Sequence, residues 1–271
     1  MTHDIPLILA IAFYMAAAGL LYKSIRNRST RWRSISLAFA IAGALFHVGV
    51  QFDHWFGGPT MDVSLPHLLS LCALVIMLLL IGSAFTRNTL YDAGLVALPL
   101  AAAVLLLEWV LPHDVIPIED YSAGITVHLF SSVLAFGVLS IAGVYALFVS
   151  LIDHFLRRHH LVPLIRTLPA LVVLESLLFK LTAVGFVLLT ISLLSGIFFI
   201  NDIFAQHLVH KTILSILTWL VFAVLLWGRW RYGWRGRLAV RMTLVGIVLL
   251  VLSYFGTKLV LEIILGRSWQ A

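Results

Sequence analysis

The sequence predicts an all-α polytopic membrane helix bundle, with eight transmembrane helices and both termini on the outer side. Three observations lead there. First, 62% of the 271 residues are hydrophobic and only 11% are charged, with a mean hydropathy of +1.06. A soluble domain carries about 25% charged residues, and so few charges cannot cover a surface exposed to water. Second, the apolar residues fall into eight runs close to the ~20 residues that a spanning helix needs. Third, the basic residues sit in alternate loops: five in 23–33, one in 86–92, three in 152–169 and five in 228–241. The intervening loops 51–66, 112–127 and 201–211 contain only Lys211. Basic loops mark the cytoplasmic side, so an even number of crossings places both ends outside.

The expected spans follow in order. Residues 5–22 open after Asp4 and close at Lys23, and 34–51 begins directly after Arg33. The N-terminus, Met1-Thr-His-Asp-Ile-Pro, has no basic residue ahead of its apolar run, which predicts an uncleaved first helix rather than a secretory signal. Residues 67–85 and 93–111 are bounded by Pro66, Arg87, Asp92 and Pro112. Residues 125–151 are long enough to tilt or project, and 177–200, 212–228 and 239–262 complete the eight. No gap is long enough for a soluble domain, so 1–271 reads as a single integral membrane domain. Small residues on the fifth and sixth spans, among them Gly143, Gly185 and Ser192, let helices approach closely.

The net charge of +6 is spread over short clusters between apolar runs. These are topology signals rather than a phosphate-binding face, so no nucleic-acid partner is expected. The single cysteine, Cys72, excludes an intramolecular disulfide, a CxxC pair and a thiolate metal cluster. The outer loops carry Pro59, Pro117 and Gly57–Gly58, and their Phe52, Trp55, Phe56, Trp109 and Tyr121 suit an interfacial belt or the floor of a flat hydrophobic ligand's site. The run Trp227-Gly-Arg-Trp-Arg-Tyr-Gly-Trp-Arg-Gly-Arg reads as an aromatic and basic anchor on the inner face.

Histidines take the opposite distribution. Eight of eleven (His3, His47, His54, His67, His113, His128, His207 and His210) lie at or near the ends away from the basic loops. His128 begins the fifth span and His210 opens the seventh, and His47 lies near the outer end of the second. Two imidazoles across a gap between helices can hold a haem iron axially while apolar walls bury the ring. His128 and His210 are the candidate metal ligands and His47 the third cofactor-binding candidate. Zinc is less well matched, because HExxH and close HxH spacings are missing. Intramembrane charges have local readings: Lys180 near Glu175, Lys258 with Glu262, and Glu108 one turn from its helix end. No acid chain crosses the bilayer centre, and no catalytic residue is expected.

Residues 210–257, with Lys211–Trp219, then Gly233-Trp-Arg-Gly-Arg and Tyr254-Phe-Gly, resemble the C-terminal part of the cytochrome c assembly family. These are haem-handling membrane proteins of the CcsA, CcmC and HemX type. Residues 174–196 look like the family's preceding helix, and His128 falls where the family has an outer-face haem ligand. The likeness is strongest over 125–257 and closest to a small eight-helix inner-membrane branch. It implies a protein of the bacterial inner membrane that binds b-type haem and handles it rather than turning over a substrate. Its partners would be haem, the bilayer, and an apocytochrome or another membrane protein. Two departures stand out: 201–210 has no tryptophan where the family carries a Trp-rich motif, and the tail after the last helix lacks the second outer histidine. A haem-free accessory or regulatory subunit of an ion transporter or partner protein is the alternative these departures leave open.

Overall fold

Helix is what remains when a chain must satisfy its own amides without water, and the described residues of this chain are nearly all helical. The computed structural model describes residues 4–56, 61–62, 64–86, 88–111, 117–118, 123–157, 171–199 and 209–256. The elements are α1 (Asp4–Asn27), α2 (Thr30–Phe56), α3 (Leu65–Thr86), the single turn α4 (Asn88–Tyr91), α5 (Gly94–Val110), α6 (Ala123–Arg157), α7 (Leu171–Phe199), α8 (Val209–Tyr232) and α9 (Gly236–Val251). A π-helical turn, Leu252–Gly256, continues α9. One antiparallel bridge joins β1 (Met61–Asp62) to β2 (Pro117–Ile118), pairing Met61 with Ile118.

Each of the eight expected apolar segments forms a helix within its described residues, with 200 and 257–262 outside them, and several run beyond the expected limits. The second reaches Thr30–Phe56 and the fifth Ala123–Arg157. Hydropathy marks the part suited to hydrocarbon, whereas backbone hydrogen bonding carries the helix on past it. Seven helices among the described residues are long and apolar enough to cross a membrane. The eighth, α5, has 17 residues. At 1.5 Å per residue it covers about 26 Å, somewhat less than a ~30 Å hydrocarbon core. Lys258 and Glu262, read as an ion pair from their spacing, lie outside the described residues, as do His3, His113, His207 and Tyr121.

The chain divides into two compact units, residues 1–119 with 155–170, and residues 120–154 with 171–271. In the first, α1 packs on α2 and α5, and α3 packs on α2 and α5, closing a ring of four helices. Its basic loops meet at one end: Arg33 donates to Asp92 at 2.6 Å, and Lys23 lies 3.6 Å from the centre of the Trp32 ring. Burial raises the Asp92 carboxyl above the ordinary carboxylate range, and the Arg33 charge pulls it partly back. The β1–β2 bridge ties together the loops at the other end. In the second unit α8 packs on α7, on α9 and on the π-helical turn. Its basic loops also share an end, where Arg237 donates to Asp153 at 3.0 Å. Within each unit, then, alternate loops lie at the same end, as the arginine pattern requires.

At two glycines the side chain of a neighbouring helix fills the space a Cβ would need. A Cβ placed on Gly185 of α7 would come 2.5 Å from Leu139 Cγ of α6, and one on Gly246 of α9 would come 2.6 Å from the Phe222 ring of α8. The small residues thus let large apolar side chains interlock across helices, packing that counts where lipid offers no hydrophobic drive. Gly185→Ala is expected to lower stability by about 1–3 kcal/mol through overpacking, measured by unfolding in mixed detergent micelles. Gly19→Ala, where a Cβ would meet nothing within 4 Å, should leave stability unchanged or improve it.

Candidate functional site

Polar side chains gather at the histidine end of both units. In the second unit the node is Ser192. His128 and Ser132 stand four residues apart on α6, and Ser192 and Ser195 three apart on α7, so each pair shares a helix face. The faces meet. His128 Nδ1 lies 2.9 Å from the Ser192 carbonyl oxygen, and Ser132 Oγ lies 2.5 Å from Ser192 Oγ. Ser195 Oγ also donates to the Ser192 carbonyl at 2.9 Å.

That geometry fixes the ring's chemistry. A carbonyl can only accept, so Nδ1 must carry the proton, and in the neutral ring the lone pair then sits on Nε2. A histidine that binds a metal through one nitrogen commonly gives its other N–H to a backbone carbonyl or carboxylate. His128 has this arrangement, and it is only partly buried. Lys211 stands at the start of α8. His210 precedes it on the same turn, and its side chain lies outside the described residues. The π-helical turn comes to the same place: Ser253 Oγ donates to the Lys211 carbonyl at 3.1 Å and lies 2.6 Å from Ser215 Oγ. Phe136 of α6 packs against Tyr254, tilted, and Phe255, edge-on, with ring centres 5.2 and 5.3 Å away. His128, the start of α8 and an aromatic cluster therefore belong to one unit.

His47 lies in the first unit, fully enclosed, with both ring nitrogens engaged. Tyr14 Oη is 3.2 Å from Nδ1, and Ser70 Oγ is 2.9 Å from Nε2. It links α1, α2 and α3. As a ligand it would have to give up one of these partners.

A further polar cluster was not foreseen. His67 Nε2 lies 3.5 Å from Glu108 Oε1, both side chains at most 3% exposed, and Ser64 Oγ lies 2.7 Å from His67 Nδ1. The pair joins the first turn of α3 to the last of α5. Each residue had a separate local reading, and nothing in their separation of 41 positions pairs them. The available signal was coarse: one base and one acid at the same end of neighbouring apolar helices. Glu175, expected near Lys180, instead accepts the Gly236 backbone N–H at 3.0 Å. Among the described residues no group of three metal-ligating side chains occurs, so a zinc site of that kind is not found there.

These features define a class: a multi-pass membrane helix bundle with imidazoles and hydroxyls gathered at one end of its helices. The chain belongs to the cytochrome c assembly protein family, whose model matches residues 7–265. The match takes in the first helices as well as the stretch 125–257 on which the resemblance was strongest. The chain is similar to the inner membrane protein YpjD of Escherichia coli (strain K12), with 30% identity covering 95% of this chain and 98% of that protein. It is also similar to an uncharacterized 28.8 kDa protein of Azospirillum brasilense, with 29% identity over 87% of this chain and 86% of that protein. The cytochrome c biogenesis protein CcsA of Prochlorococcus marinus (strain MIT 9303) matches over a shorter stretch, 34% identical across 32% of this chain and 28% of its own length. No solved structure matches.

Because His67 and Glu108 are enclosed together, a double-mutant cycle with His67→Ala and Glu108→Ala should give a coupling energy of about 0.5–3 kcal/mol. Additive losses of stability would show that the two side chains act separately.

Proposed function

We propose that this protein is a haem-binding, haem-handling component of the bacterial inner membrane, holding b-type haem near the outer face by histidine ligation. His128 and His210 would be the axial ligands, with His47 a third candidate. The observation that carries the reading is the His128 Nδ1 contact with the Ser192 carbonyl at 2.9 Å, which leaves Nε2 as the ligating nitrogen. Membership of the cytochrome c assembly family supports it, as do the CcsA relatives, which are named for cytochrome c biogenesis. Bound haem would supply an iron centre and a flat apolar ring. The chain's own part would be to orient the His128 imidazole through α7, and to wall the ring with apolar side chains such as Phe136 and Phe255. The role is assembly or carriage of haem rather than turnover of a small substrate. An apocytochrome or another membrane protein would be the partner.

The topology belongs to the same proposal: eight crossings, with α5 as a short span, and both termini outside. The family match runs through both units, which supports treating 1–271 as one integral membrane domain. A second reading, a haem-free accessory or regulatory subunit of an ion transporter or partner protein, draws on the lack of tryptophan in 201–210. The engagement of both His47 nitrogens favours it as well.

Absorption spectra of the purified protein separate the two. The wild type should show a Soret band, and His128→Ala or His210→Ala should abolish or shift it. Ser192→Ala should retain the band, since the carbonyl remains. Protein from haem-replete cells that is colourless and fails to take up added haemin would overturn the haem reading.

A further inference from the structure

At the arginine end of the second unit, at the opposite end of α6 from His128, lies a cavity of about 160 Å³. Val149, Ser150, Asp153 and His154 of α6 line one side, and Gly236, Arg237, Val240 and Arg241 of α9 the other. The spacing is that of two helix faces, three and four residues apart on each helix. Arg237 gives its Nε–H to Asp153 at 3.0 Å and remains 58% exposed. Arg241, one turn further along the same face, adds a second guanidinium. The cavity thus holds two permanent positive charges against one carboxylate, with an imidazole beside them.

The placement of these arginines runs against helix electrostatics. Both lie in the first two turns of α9, at the pole where the aligned peptide dipoles are positive and cations are disfavoured. Glu175 and Asp153 offset this in part, the first by accepting the Gly236 N–H and the second by accepting from Arg237. A bound anion would offset the remainder. The surroundings say which anion. Trp227, Trp230 and Tyr232, 58%, 77% and 68% exposed, stand at the same end of the adjoining α8, as residues at a membrane interface do. Val149 and Val240 form the apolar part of the wall. Leu147 and Val245, both largely exposed, lie on the same two helices further from the basic end. A phosphodiester in the cavity would therefore have apolar helix surface beneath it for acyl chains.

We propose that this cavity binds the phosphate headgroup of an anionic phospholipid, with Arg237 and Arg241 as the phosphate donors and Asp153 limiting the affinity. The site is independent of the haem reading.

The test uses the full-length chain, delipidated in a neutral detergent, with lipid adducts counted by native mass spectrometry. Dioleoylphosphatidylglycerol should bind at concentrations where dioleoylphosphatidylcholine does not. Each arginine removed should weaken binding about fivefold, so Arg237→Gln with Arg241→Gln should lose about 25-fold. Arg231→Gln, at the same end but outside the cavity, should change little. Asp153→Asn should bind more tightly by a similar single step, an effect that poor folding cannot imitate and that decides the matter if the double variant fails to fold. Equal binding of the two lipids, an Asp153→Asn variant that binds no more tightly, or a double variant no weaker than Arg231→Gln would each overturn the proposal. Inorganic phosphate displacing phosphatidylglycerol at matched concentration would also overturn it, by making the cavity a free-anion site.

Discussion

A polar group inside a membrane has no water to turn to, and the architecture of this protein follows from that constraint. Side-chain hydroxyls within the spans are absorbed locally. Thr190, Thr218 and Thr243 each return a hydrogen bond to the carbonyl four residues earlier, at 2.8 Å in every case. Other polar groups join helices: Ser36 donates to the Ala17 carbonyl at 2.8 Å, and Trp219 donates its indole N–H to the Thr190 hydroxyl at 2.9 Å. The result is an interior whose polar groups are few and placed where they connect one helix to another.

The same constraint separates the two ends of each unit. Charged groups that water and lipid headgroups can reach accumulate at the arginine end, where their pairs are partly exposed: Arg33 with Asp92, and Arg237 with Asp153. At the histidine end of the first unit the ionisable groups are enclosed. His47 sits between Tyr14 and Ser70, and His67 beside Glu108. Imidazole suits such positions because its neutral form both donates and accepts, so two partners satisfy it without leaving a charge in hydrocarbon. One end of each unit is thus built from permanent charges and the other from groups that can be neutral.

Much of this architecture was legible in the amino-acid order. Apolar run length and the alternation of arginine reflect one-dimensional constraints, the thickness of a bilayer and the sidedness of its loops. They located eight helices and the shared ends of the loops. The cross-helix partnerships were not legible. Ser192 was read as a small residue for close packing, which it is, while its carbonyl and hydroxyl also meet His128 and Ser132. Glu175 looked like a companion for Lys180 five positions on, yet its partner is the amide of Gly236, 61 positions away. As the first residue of α9, Gly236 has an amide without an intrahelical acceptor, and its positive φ of 60° is one a side chain would oppose. Such pairings depend on helix rotation and relative height, and a hydropathy pattern carries neither. The span count is a middle case, since α5 is apolar enough but three or so residues short of the usual length.

The partner of His128 is main chain and not side chain. No substitution at position 192 other than one that moves α7 can remove it, so the electronic state of the ring is tied to the separation of two helices. Drawing α7 away would weaken the Nδ1–H contact and with it the basicity of Nε2. Coupling of this kind runs both ways: whatever engages Nε2 also pulls α6 and α7 together. The imidazole is in that sense a gauge of the spacing between these two helices.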